Sequence, residues 1–171
     1  IGDTISGQKQ HLKENVSKIT FDLDDYEKSL VKKYVDEHGV DHGAGVEIDG
    51  VVWAPVNVGA SEQSEYGDYF TWIDAHRACP DGWRLPTEEE YSSLKVNNWW
   101  NPVGDVNGSW FYGSSFDNSS IFLPAAGNED GTSLRWGYGG RYFTMNQTYS
   151  PDYGEAFTFT STEKSFSSVS H

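Results

Sequence analysis

The stretch from Ala75 to Tyr91 constrains this chain more than any other. Ala75-His76-Arg77-Ala78 reads as the end of a helix. Pro80-Asp81-Gly82 is turn chemistry, with Pro presetting φ and Gly supplying a positive one. Trp83 and Leu85 alternate with Arg84, so an extended backbone points both apolar side chains one way. Pro86 ends that piece. Thr87 is a good helix N-cap, and Glu90 three residues later completes a T-x-x-E capping box. A Trp fixed between a turn and a capped helix is a packing anchor, so the stretch reads as structural rather than catalytic.

At 171 residues the chain suffices for one domain with an extension or for one large domain, and for a substantial core. Its net charge is −14. Nucleic-acid binding needs clustered Lys and Arg, and an anionic membrane surface attracts the same residues, so neither partner is expected. Cations, neutral glycans and proteins remain. No apolar run approaches the roughly 20 residues of a spanning helix, so no membrane insertion is expected. The first residue is Ile and no signal peptide is present, so a leader is expected to have been removed. The single cysteine, Cys79, excludes an intramolecular disulfide and a multi-Cys metal site. It is expected to be a small buried apolar residue.

Leu12, Val16 and Ile19 fall on one helical face, although the polar segment 1–20 equally suits a linker. Residues 23–39 are a clearer helix. Asp24 can cap it, Glu27 stands at the capping-box position, Tyr26, Leu30, Val31 and Tyr34 form a stripe, and Gly39 stops it. Such a stripe packs on its own domain or docks on a partner. His38 to Gly45 is a glycine-rich joint. His38 and His42, with Asp36, Glu37 and Asp41, have ligand chemistry for a transition metal, but a glycine-rich loop does not fix the geometry. The chain thus divides into a helical extension and joint, 1–43, and a domain, 44–171.

Within the domain, Val46-Glu47-Ile48 and Val51-Val52-Trp53 read as a hairpin around Asp49-Gly50, a pair suited to a type I′ turn. Thr71 to Ala78 and Thr87 to Lys95 read as helices. Residues 96–122 have little periodicity and read as a long irregular loop. Phe122 to Gly127, Leu134 to Tyr138 and Arg141 to Met145 read as strands. Ala156 to Thr160 is an alternating strand with Phe157 and Phe159 on one face. The expected class is α+β.

Cys79-Pro80-Asp81-Gly82-Trp83-Arg84-Leu85-Pro86-Thr87 resembles the C-P-x-G-W-R-L-P-T signature of the Fibrobacter succinogenes major paralogous domain family. Ile48 to Gly59 resembles that family's I-x-G-x-x-W-A-x-x-N-V-G opening, and Tyr66 to Trp72 its Y-G-x-Y-F-x-W element. Leu123 to Gly127 and Gly139 to Phe143 resemble its L-P-A-A-G and G-x-Y-W elements. The five motifs run in order over about residues 44–170. The resemblance implies a C-type-lectin-like fold, related to formylglycine-generating enzymes, on a bacterial surface or secreted protein. It implies no particular activity. In the family the motif Cys often pairs with a C-terminal V-R-C cysteine, whereas the tail here reads Phe166-Ser167-Ser168-Val169-Ser170-His171. In a bacterial chain rich in Asn and Ser, the N-x-S/T triplets at Asn15, Asn107, Asn118 and Asn146 read as chance.

Aromatic residues make up 15% of the chain, more than the motifs need. Trp53, Trp72 and Trp83 lie inside motifs and are expected in the core. Trp99, Trp100, Trp110, Tyr112, Trp136, Tyr138, Tyr149 and Tyr153 lie outside them, among Asn, Asp, Ser and Gly. Their rings can stack on sugars or peptides while Asn101 and its like bind hydroxyls, though filling the loop-rich half is the plainer role of any one ring. Calcium is the possible cofactor: Asn128, Glu129 and Asp130 are hard oxygen ligands without a recognisable spacing. Trp100-Asn101-Pro102 has Pro where lectin-type calcium sites have Asp. One Cys in a structural turn argues against formylglycine-type chemistry. No G-x-S-x-G, H-E-x-x-H or phosphate loop occurs, and no spacing selects a carboxylate pair for glycoside hydrolysis. The expected function is therefore non-enzymatic recognition of a glycan or protein ligand at the bacterial surface or outside the cell, through Trp99, Trp100, Asn101, Trp110, Tyr112, Trp136, Tyr138 and Tyr149. The alternative is a structural module of a surface assembly that docks through residues 24–38.

Overall fold

A computed structural model of the chain describes residues 32–96, 100–114, 119–128, 134–148 and 153–170. Strands take 41% of the described residues and helices 11%. The order is β1 (Lys33–Val35), β2 (Asp41–Ala44), β3 (Val46–Ile48), β4 (Val51–Trp53), α1 (Trp72–Ala78), α2 (Glu88–Ser93), β5 (Gly108–Tyr112), β6 (Ser120–Pro124), β7 (Gly139–Gln147), β8 (Tyr153–Thr160) and β9 (Lys164–Ser170). The strands form antiparallel pairs β1-β2, β3-β4 and β5-β6 and a three-stranded sheet β7-β8-β9. All these elements belong to one unit, Lys33–His171.

This architecture overturns the α+β, C-type-lectin-like expectation with its helical extension. The described helices are only 7 and 6 residues long, and the described strands form small antiparallel sheets. The helix expected over 23–39 is a strand from Lys33 onward. Asp36 is the reason. Its Oδ1 accepts from the His38 and Val40 backbone N–H groups, each at 2.9 Å, and Gly39 sits at φ 80°. That Asx-type turn reverses the chain where a helix would have continued. Tyr26, Leu30 and Val31 lie outside the described residues.

Two further differences concern the candidate site. The long irregular loop contains β5, paired residue for residue with β6. The strand expected at Leu134–Tyr138 is instead a turn, in which the Tyr138 N–H donates to the Arg135 carbonyl at 3.1 Å.

The core gathers around three phenylalanines. Phe111 of β5 and Phe157 and Phe159 of β8 are fully buried with Leu94. Tyr91 of α2 stacks on Phe157, ring centroids 4.6 Å apart and nearly parallel. Burying each Phe contributes roughly 1.5–3 kcal/mol. The Thr87–Glu90 capping box forms as expected. Asp49 and Gly50 both take positive φ in the β3–β4 turn, as a type I′ turn demands.

Residues of four of the five sequence motifs are tied to one another, and the fifth is tied to β7. Asn57 Nδ2 donates to the Tyr66 carbonyl at 3.1 Å and, over a longer 3.4 Å, to the Tyr142 hydroxyl. Tyr142 donates in turn to the Pro124 carbonyl, and Tyr69 to that of Ala126. The Met145 N–H donates to the Pro86 carbonyl at 2.8 Å. Motif residues far apart in sequence thus satisfy one another's buried polar groups, which is a structural role.

Candidate functional site

The predicted ligand-binding residues do not share one environment. Trp100 is half-buried against the core, at a positive φ of 63°. Trp110 and Tyr112 are half-buried on the same face of β5, where Trp110 packs against its cross-strand partner Phe122 at 5.4 Å between ring centroids. Asn101 is exposed. Trp99 and Tyr149 lie outside the described residues.

Trp136 and Tyr138 are different: they are 56% and 70% exposed. They flank Gly137, whose φ of 79° gives the turn the positive third position of a type II turn. The turn is fixed from both sides. Its Gly137 N–H donates to the Ala125 carbonyl at 2.8 Å, and Asn107 Nδ2 donates to the Gly137 carbonyl at 3.1 Å. Asn107 also accepts from the Ala125 N–H, and Asn101 N–H donates to the neighbouring Gly108 carbonyl. Sequence positions 101, 107, 125 and 137 are thereby joined by backbone. Two exposed rings on an anchored turn form a surface that loses little freedom on binding.

The suggested calcium ligands have other roles or are undescribed. Asn128 is half-buried, and its Oδ1 accepts from the Leu134 N–H at 2.9 Å, closing the loop between them. Glu129 and Asp130 lie outside the described residues. Among the described residues no three His, Cys, Asp or Glu side chains converge as a metal site would need. His42 Nε2 meets Asp36 Oδ2 at 2.8 Å, while His38 is exposed and lies 3.5 Å from Glu37.

Sequence reasoning missed a cleft of about 280 Å3 between the β1–β2 hairpin, the 58–68 loop and the Ala78–Pro80 turn. Tyr34, read from sequence as part of a helical stripe, is buried in its wall, its ring edge-on to Trp83 at 5.3 Å. Tyr34 sits two residues before an Asx-type turn residue, Asp36. That spacing was the available sign that Tyr34 belongs to a hairpin.

Comparisons with family models, curated proteins and solved structures give no match to this chain. No helix among the described residues is long and apolar enough to cross a membrane.

Proposed function

We propose that this chain is a non-enzymatic recognition domain of a bacterial surface or secreted protein, and that it binds a glycan through the Trp136–Tyr138 turn. The carrying observation is the pair itself: two aromatic rings, 56% and 70% exposed, on a turn held by backbone and Asn107 hydrogen bonds. An aromatic face stacks on the C–H face of a sugar ring, and an exposed amide such as Asn101 suits hydroxyl groups. The net charge of −14 favours a neutral sugar over an acidic one. The motif resemblance supplies the expected location.

A glycan array probed with the purified chain, with calcium and with chelator, tests this. A specific hit lost in both Trp136→Ala and Tyr138→Ala is the expected result. A hit that survives both substitutions moves binding elsewhere on the molecule. An array without hits, followed by capture of a protein ligand that needs both rings, replaces the glycan with a protein.

A further inference from the structure

We infer, resting on the glycan-binding reading above, that the Trp136–Tyr138 turn holds the interior of an extended sugar chain, at least two units at once, and not a single terminal sugar. The units are pyranoses with equatorial substituents, joined by equatorial 1,4 links. Exposure separates the two kinds of ligand. A terminal sugar is held by a pocket that surrounds it with a few placed polar groups. Tyr138 and Trp136, at 70% and 56%, are the most exposed large apolar residues among those described. Rings this open have no walls beside them, so each offers a face and leaves a sugar's edges to solvent.

The backbone of the turn is a second, independent observation. Its Gly137 N–H is taken by the Ala125 carbonyl, its Gly137 carbonyl by Asn107 and its Tyr138 N–H by the Arg135 carbonyl. These groups are spent on holding the turn and are not offered to sugar hydroxyls. Binding here therefore depends on the ring faces.

Magnitudes then decide how many units are held. One aromatic stack contributes roughly two- to tenfold in affinity beyond the area it buries. Losing translational and rotational freedom costs on the order of a thousandfold or more. One ring on one sugar does not offset that. Two rings on one ligand incur the cost once, because the second contact is intramolecular. Residues two apart have Cα atoms within about 7 Å of each other, the scale of neighbouring units in a sugar chain. The anchored turn presents both rings together, so little is lost in ordering them.

Stacking also selects the sugar. An aromatic face meets C–H groups, and an axial hydroxyl on the sugar face interrupts that contact. A pyranose with only equatorial substituents has C–H on both faces. Equatorial 1,4 links keep successive units in one extended ribbon, whereas axial links wind the chain away from a surface. Glucose and N-acetylglucosamine in β-1,4 linkage share this chemistry, and both are neutral, as the net charge of −14 favours.

Calorimetric titration of the full chain tests this. The probes are N-acetylglucosamine and glucose, the β-1,4-linked dimer, tetramer and hexamer of each, and the axially linked maltohexaose. In at least one β-1,4 series, affinity should rise about tenfold or more from monomer to hexamer, and the series that responds identifies the sugar. Maltohexaose should bind at least about tenfold more weakly than that hexamer. Trp136→Ala and Tyr138→Ala should each lower hexamer affinity about tenfold and leave only the small statistical gain of a longer chain. Equal affinity for monomer and hexamer, an undiminished length gain in both single-ring variants, or equal binding of maltohexaose would overturn the inference and leave glycan binding standing. So would an array hit on another glycan with neither series bound. No binding of any glycan, on the array or in titration, removes the underlying glycan reading instead.

Discussion

The Tyr142 hydroxyl donates to the Pro124 carbonyl across 2.7 Å, joining β7 to the end of β6. The same oxygen accepts from Asn57 Nδ2 at 3.4 Å. Tyr142 thus links three segments that are distant in sequence. The Pro124 carbonyl also accepts from the Ala126 N–H, so removing the phenol does not leave it unsatisfied. Tyr142→Phe should therefore cost about 1–2 kcal/mol, the scale of a lost buried hydrogen bond. Urea denaturation checks this; an unchanged midpoint would show that the link is idle.

What was legible in the sequence was local. The Thr87–Glu90 box, the Asp49–Gly50 hairpin and the Phe157/Phe159 face each follow from residues within a few positions of one another. What was not legible turned on competition or on distant partners. At Tyr34 a helical stripe competed with the Asp36 turn, and two backbone hydrogen bonds to one carboxylate oxygen decided it. Leu134 to Tyr138 looked like a strand because nothing local shows that Ala125 and Asn107 bind Gly137. Trp110 and Trp136 are equally polar in neighbourhood, yet Phe122 half-covers one while the other projects. Exposure of a ring is set by what packs on it, and that partner is seldom nearby in sequence.

High pH should unfold the chain through its phenols. Burial holds Tyr34 up at about 12, and pushes Tyr91 and Tyr142 further still from the ordinary range. In the unfolded chain all titrate near about 10. The folded state thus keeps protons that the unfolded state loses. The associated stability is fully present below about pH 10 and is lost as pH rises toward 12 and beyond. Urea midpoints from pH 8 to 11.5, with phenolate absorbance, check this. Stability that stays flat over that range would show that these phenols ionise freely in the fold.

The start of α2 should weaken in acid. Glu90 is held below the usual carboxylate range by the Arg84 guanidinium first, at 2.6 and 2.8 Å, and also by the Thr87 N–H. A lowered folded pKa gives stability that is present at neutral pH and lost as pH falls through it. Arg84 is half-exposed, so Glu90→Gln should cost only about 0.5–1 kcal/mol at pH 7 and almost nothing at pH 3. Thr87→Ala removes the N-cap and should cost about 1 kcal/mol at pH 7. Thermal melts at both pH values distinguish the two. An equal Glu90→Gln deficit in acid would rule out the ion pair as its source.

Gly154 should tolerate no side chain. A Cβ built there falls inside the Trp72 indole, and Trp72 cannot simply swing away because its Nε1 donates to the Thr144 carbonyl at 3.0 Å. Gly154→Ala should cost about 1–3 kcal/mol by overpacking. Trp72→Phe, although damaging alone, makes room. The double variant should therefore be more stable than the sum of the two single losses predicts. Strict additivity in denaturant unfolding would mean that the two residues do not clash.

Trp136 and Tyr138 should matter for binding and not for folding. Both rings project from their turn, so Trp136→Ala and Tyr138→Ala remove little packing. Each should change stability by less than about 0.5 kcal/mol, the ordinary range for surface substitutions. If the rings hold a ligand, each should also reduce affinity about tenfold or more, as aromatic anchors do. Gly137→Ala provides the converse. Space is available, since the nearest atom to a built Cβ is Asn107 Nδ2 at 3.7 Å, but φ is 79°. That substitution should cost on the order of 1 kcal/mol through backbone strain. It should weaken binding only by loosening the turn that presents the rings. Melting temperature and affinity measured on all three variants separate the cases. Ring truncations that unfold the chain as much as Gly137→Ala does would make the pair a packing element, and the recognition role would fall with it.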